Sequence, residues 1–215
     1  MASKNNNNNT RYVLTENQYN AIVRGVQANS DIWEYKIYYF DTINKKLATS
    51  HRVARLRFIA SNNYHTTCVF SIKYFSKDSP NERVTLSAIF HMTIGEEILD
   101  RPKALCEYLP PKMLSQINDC LDAEFMVVGH YRLFRRYINI GQTLVKLSEI
   151  KYYKGDKYYE ATIQTISDQQ PSDFLDFLKK LNIEPKTSQL TKFKRLFQLS
   201  NDQRIDPIFL IQNPK

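Results

Sequence analysis

The sequence predicts an α+β protein in which roughly eight antiparallel strands close into a barrel with flanking helices. Three observations carry this. Long runs rich in aromatic and β-branched residues follow one another through hairpin-type turn signals, which is a meander rather than a βαβ pattern. Charged residues recur on several of these runs where a one-faced sheet would hold them all outward or lack them; they converge only if the sheet curls round a polar, solvated lumen. Capped amphipathic segments precede, interrupt and follow the strands.

The chain opens on a polar low-complexity tail, residues 1–11, whose five consecutive asparagines cannot bury a core and predict disorder. Thr15 to Gln18 reads as a capping box ahead of Tyr19, Ile22, Val23 and Val26 at helical spacing, so a helix is expected over Glu16–Gln27. Strands follow at Trp33–Phe40, Ala54–Ala60, Val69–Phe75 and Val84–Met92, with turn signals at Asn62-Asn63 and Lys77-Asp78-Ser79-Pro80-Asn81. Alternation puts Arg55 with Arg57 on one face, and Ser71 with Lys73. Helices are expected over Gly95–Tyr108 and, with Pro111 in a first turn, Lys112–Ala123. Strands return at Glu124–Ile138, Leu144–Tyr153 and Lys157–Ile166, joined at Asn139-Ile140-Gly141-Gln142 and Lys154-Gly155-Asp156. Ser172 caps a short helix carrying Phe174, Leu175, Leu178 and Leu181, and Thr187 or Ser188 begins another with Leu190, Phe193 and Leu196. One domain over residues 12–197, with an extension at 198–215, is the expected organisation.

Thirty Lys and Arg against 22 Asp and Glu give a formal charge of +8 and a pI near 9.3. That balance favours polyanionic partners: nucleic acid, nucleotides, polyphosphate or an anionic surface. Cys68, Cys106 and Cys120 form no Cys-x-x-Cys pair and lack clustered histidines, so they read as reduced, buried small hydrophobes. With no apolar leader and no run long enough for a membrane span, a soluble protein of a reducing intracellular compartment is expected. Only five glycines, with neither a Walker A nor a dinucleotide fingerprint, leave side chains to grip any phosphate. His51, His65, His91 and His130 are isolated, and no Ser or Cys nucleophile has a motif around it. The tyrosines at 152, 153, 158 and 159 offer faces for stacking on bases, although packing is the commoner use of such residues.

The segment Tyr38-Tyr39-Phe40-Asp41-Thr42, then Arg55-Leu56-Arg57-Phe58, then Tyr158-Tyr159-Glu160-Ala161-Thr162-Ile163-Gln164 resembles, in order and spacing, the CYTH or triphosphate tunnel superfamily. The resemblance implies a barrel of antiparallel strands holding a triphosphate between arginines, lysines and metal-binding glutamates. It implies Arg55 and Arg57 as phosphate ligands, with Lys73 matching the lysine that ends the next strand. Strand placement adds Arg132, Arg135 and Arg136, of which Arg132 with Arg136 or else Arg135 faces inward, and Lys146. Arginine forks suit phosphate oxygens and lysine supplies a point charge. Arg135-Arg136-Tyr137 with the Leu144–Gln164 hairpin also resembles the RNA 5′-triphosphatase branch.

The acidic half departs from the family pattern. The Glu-x-Glu-x-Lys strand of tunnel enzymes has no counterpart in Asn9-Thr10-Arg11-Tyr12-Val13-Leu14, and the usual Leu-Asp pair is Leu147-Ser148, with Glu149 on the opposite face. On the last tunnel strand alternation offers Glu160, then Thr162 and Gln164. The resemblance implies Mg²⁺ or Mn²⁺, for which Glu160 and Glu34 are the candidate ligands; two-metal chemistry is under-supplied. Asp41 resembles a family residue whose place near a turn equally suits structural hydrogen bonding. The expected function is therefore binding of a nucleotide, a triphosphorylated RNA 5′ end or polyphosphate in a basic tunnel, with hydrolysis weak or lost. A metal-dependent triphosphatase is one alternative. A nucleic-acid-binding or protein-interaction module using the outer basic surface is another.

Overall fold

The computed structural model describes residues 8–26, 31–61, 64–76, 83–121, 125–153, 155–165, 172–188, 192 and 195–196. Outside them lie residues 1–7 of the expected tail, the turn signals at Asn62-Asn63 and Lys77 to Asn81, Leu190, Phe193 and the extension 198–215. The elements run β1 (Asn8–Leu14), α1 (Glu16–Gly25), β2 (Trp33–Thr42), α2 (Lys46–Thr49), β3 (Val53–Ser61), β4 (Tyr64–Phe75), β5 (Arg83–His91), α3 (Met92–Asp100), α4 (Leu105–Tyr108), α5 (Pro111–Leu114), α6 (Asn118–Leu121), β6 (Phe125–Ile140), β7 (Thr143–Tyr152), β8 (Lys157–Thr165), α7 (Ser172–Lys180) and β9 (Lys186–Thr187). This is an α+β chain dominated by antiparallel sheet. Hydrogen bonds order the strands β5-β4-β3-β2-β6-β7-β8-β1-β9. No ladder joins β5 to β9 among the described residues, so the backbone does not make the closure that the sequence predicts. No described helix is long and apolar enough to cross a membrane.

The described residues fall into two compact units, one of those within 35–131 with 195–196, the other of those within 8–34 and 132–192. In the first, β3 and β4 pair with Leu56 opposite Phe70 and Ala54 opposite Ile72. These apolar positions share one face, and that face packs against Ile98, Leu105, Leu109, Met113, Ile117 and Cys120 of the helical segments. Contact there is close: a Cβ added to Gly95 would stand 2.6 Å from Cys68 Sγ and 2.8 Å from the Phe58 ring. In the second unit Tyr12, Leu14, Val145, Leu147, Ala161 and Ile163 form the apolar face, covered by Tyr19 and Ile22 of α1 and Phe174 and Leu178 of α7.

The capping box is present: Gln18 N donates to Thr15 Oγ1 and Thr15 N to Gln18 Oε1. Other boundaries move for local reasons. The helix expected over Gly95–Tyr108 begins at Met92 and breaks after Asp100, because Arg101, extended ahead of Pro102, leaves helical geometry. The helix expected over Lys112–Ala123 is two single turns, α5 and α6. Strand β1 starts at Asn8, inside the stretch read as tail, since Tyr12 and Leu14 supply an apolar face and β8 supplies backbone partners. Of the helix expected from Thr187 or Ser188, the described residues Lys192, Arg195 and Leu196 are helical, but its expected start is not: Lys186 and Thr187 pair with Val13 and Tyr12, and Ser188 N donates to Arg11 O at 3.0 Å. Backbone pairing along the β1 edge outweighs a single side-chain cap there. Cys68 and Cys120 are buried as expected, with burial pushing both thiols up to about 11, whereas Cys106 is exposed.

Candidate functional site on two basic strand faces

In the first unit the face of β3 and β4 opposite the helix-covered core carries the arginines. Arg55 stands opposite Ser71, Arg57 opposite Val69 and Val53 opposite Lys73, so Arg55, Arg57, Ser71 and Lys73 share that face. The sheet brings together the set that alternation grouped. Ser71 is buried, and Arg57 lies 5.6 Å from the Tyr35 ring centroid, a cation–π distance. The Nε of Arg55 is itself buried and has no hydrogen-bond partner among the described residues.

Asp41 is elsewhere and does something else. Its carboxylate accepts from Thr42 N and Leu47 N at 2.8 Å each and from Ala48 N at 3.0 Å, fixing the turn from β2 into α2. Lys45, at φ 55°, sits within that turn, and its N–H donates to Thr42 O at 2.8 Å. Of the two roles open to Asp41 in the sequence, the structural one is what these contacts describe.

In the second unit the face opposite the core is also polar. Glu160 pairs in register with Val13 and Ser148, and Thr162 with Arg11 and Lys146, so these side chains form two adjacent rows. Glu160 is 1% exposed, Ser148 0% and Thr162 8%. Arg135 Nε donates to Ser148 Oγ at 3.3 Å, placing Arg135 on this face. Thr162 Oγ1 donates to Glu160 Oε1 at 3.1 Å, and Lys192 Nζ donates to the same oxygen. Burial alone would raise the Glu160 pKa, but the Lys192 ammonium, the two hydrogen bonds and the nearby Arg11 hold it below the ordinary carboxylate range. The Lys192 pKa is lowered by burial, with Arg135 and Arg11 acting in the same direction and Glu160 against them.

Strand alternation separates the β6 arginines. Arg136 shares the face of Ile138 and Ile140 and hydrogen-bonds Tyr19 of α1, on the helix-covered side. Arg132 is half-exposed and lies 3.9 Å from Glu34, so neither it nor Arg136 joins Arg135, and Glu34 faces an arginine rather than Glu160. Arg11 and Lys192 escaped the sequence reading. For Arg11 the signal was available in the alternation of Tyr12 and Leu14. Lys192 had none, since only the folded chain carries it to Glu160. The side chain of Gln164 lies outside the described residues.

No family model and no curated protein matches the sequence. Solved structures do match the fold. A candidate adenylate cyclase from Bacillus halodurans superposes at TM-score 0.66 and 15% identity, covering 89% of this chain and 97% of that one. A candidate adenylyl cyclase from Hippeastrum, described as having a dominant triphosphatase activity, superposes at 0.68 and 20%, with coverages of 88% and 93%. A Pyrococcus horikoshii protein reaches 0.53 at 11% identity, covering 90% and 98%. This chain has the CYTH-like fold.

The CYTH-like fold brings an expectation of a divalent metal, which the donor chemistry can be set against. Mg²⁺ needs near-octahedral oxygen donors, commonly one or two carboxylates with waters and phosphates. Here the buried face offers one carboxylate, already bonded by an ammonium and a hydroxyl, beside the neutral Ser148 and Thr162. No group of three or more His, Cys, Asp or Glu gathers among the described residues. This set does not fit a resident divalent ion. The described strand faces are basic: Arg55, Arg57 and Lys73 in one unit, and Arg11, Arg135, Lys146 and Lys192 in the other.

Proposed function

We propose that the chain binds a triphosphate-bearing ligand, whether a nucleotide, a triphosphorylated RNA 5′ end or polyphosphate, through its basic strand faces, with hydrolysis weak or lost. The observation that carries this reading is the buried Nε of Arg55, an unpartnered charged donor in a row with Ser71 and close to Arg57 and Lys73. Burying a guanidinium donor without an acceptor is costly, and an anionic oxygen supplies the acceptor. The weak hydrolysis of this reading is supported by the donor set, since Ser148 and Thr162 flank Glu160, the one carboxylate of this face among the described residues, and leave little to hold two metals round an attacking water.

Tripolyphosphate or a nucleoside triphosphate is expected to raise the thermal midpoint through linkage to the folded state. Arg55→Ala should remove most of that rise, a loss of about 1.5–3 kcal/mol or roughly ten- to a hundredfold in affinity. Calorimetry showing unchanged affinity in the Arg55→Ala/Arg57→Ala double variant overturns the assignment. An active triphosphatase is the second reading, favoured by the activity described for the Hippeastrum protein. Rapid Mn²⁺-dependent phosphate release, abolished by Glu160→Ala, would decide for it.

A further inference from the structure

We propose that Lys192 stands where a divalent metal would otherwise serve Glu160, so that this face receives its phosphate-bearing ligand metal-free. The ligand half of this statement rests on the function proposed above; the Lys192 half does not.

The geometry is specific to the pair. The Glu160 side chain is 2% exposed and that of Lys192 17%, so neither charge is solvated well enough to stand alone, and each neutralises the other. Lys192 and Thr162 both bond Oε1, and the neighbouring hydroxyl of Ser148 already accepts from Arg135. A metal ion arriving here would meet the Lys192 ammonium at close range, with Arg11 and Arg135 also nearby. Replacing the ammonium by a divalent ion would have to move Lys192 from its bonded position, since the ion, held by Glu160 and otherwise by water, would need the same carboxylate oxygen.

The charge balance of the face points the same way. Among the described residues this face carries the cations Arg11, Arg135, Lys146 and Lys192 and the carboxylate Glu160. A divalent ion ordinarily helps a site by neutralising phosphate charge. Here the side chains supply that neutralisation, and Lys192, with three N–H donors and one of them on Glu160, keeps donors for a phosphate oxygen.

The test uses the full chain and two probes, Mn²⁺ alone and tripolyphosphate. Titrating Mn²⁺ against the wild type, followed by calorimetry or by electron paramagnetic resonance of the free ion, is expected to give no binding that depends on Glu160. Tripolyphosphate should bind at least as tightly in EDTA as in Mg²⁺, because Mg²⁺ withdraws the free anion. Lys192→Met should gain Mn²⁺ binding that a second change, Glu160→Gln, removes, and should lose about tenfold in tripolyphosphate affinity. Lys192→Arg, which keeps the cation, should gain none. Saturable Mn²⁺ binding by the wild type that Glu160→Gln abolishes overturns the proposal, as does tripolyphosphate binding that requires Mg²⁺. Should Lys192→Met fail to fold, the two wild-type titrations still decide. Absence of tripolyphosphate binding in both EDTA and Mg²⁺ sinks the proposed function and the metal-free ligand with it, while the Mn²⁺ titration separately decides the role of Lys192.

Discussion

Asp41 and Glu160 are buried carboxylates whose charges are met in different ways. Three backbone N–H groups converge on Asp41, whereas Glu160 is met by a lysine and a threonine. Backbone donors are held by the turn that they create, so Asp41 belongs to the architecture of α2 and no ligand is needed to balance it. Asp41→Ala leaves the N–H groups of buried Leu47 and half-buried Ala48 without their acceptor, and should cost about 2 kcal/mol in urea unfolding. Asp41→Asn, which keeps one acceptor oxygen, should cost less. Equal losses for the two variants would show that the charge, not hydrogen bonding, is what the turn requires.

At the scale of elements, ion pairs tie the short helices of the first unit to its sheet. Arg52, just before β3, donates from Nη1 and Nη2 to both carboxylate oxygens of Asp119 in α6, at 2.8 and 2.7 Å, and from Nη1 to Gln116 O at 2.5 Å. The Arg52 guanidinium holds the Asp119 pKa down, from 3.8 to about 2. A depressed carboxylate pKa stabilises the fold fully above the unfolded value and loses that contribution as pH falls through the folded one. The pair should therefore add about 1 kcal/mol above pH 4, after discounting for the half-exposed Asp119, and lose it between pH 4 and pH 2. Asp119→Asn should flatten the stability profile in that window. An unchanged acid limb in the variant would assign the acid sensitivity to other carboxylates. Elements also decide which charges act together. A shift of one residue on β6 separates Arg135, bonded to Ser148, from Arg136, bonded to Tyr19, because consecutive strand residues point to opposite faces.

For the whole molecule, a charge of +8 attracts any polyanion, and salt dependence distinguishes a site from a surface. Extended contact with single-stranded RNA makes affinity fall with a log–log slope of about 0.7 per phosphate neutralised. A 5′-triphosphorylated oligonucleotide should bind more tightly than its 5′-hydroxyl counterpart, with more of the difference kept as salt rises, because partly buried arginines such as Arg55 and Arg57 are screened less than fully exposed charges. Equal affinities that fall together in fluorescence anisotropy would favour the outer surface instead. Much of this organisation is legible in the chain: the alternation of Ala54, Leu56 and Phe58 with Arg55 and Arg57 fixes two unlike faces on β3, and the capping box of α1 needs only four consecutive residues. By itself the sequence determined the strand meander, the capped first helix, the Arg-x-Arg face and the shortage of carboxylates, since each depends on periodicity or on residue type within one segment. Only tertiary structure decided that Arg135 rather than Arg136 meets Ser148, that Arg11 joins the polar face, and that Lys192 bonds Glu160. Those outcomes depend on strand register and on contacts between residues far apart in the chain, where burial and charge pairing select among partners that local spacing leaves equivalent.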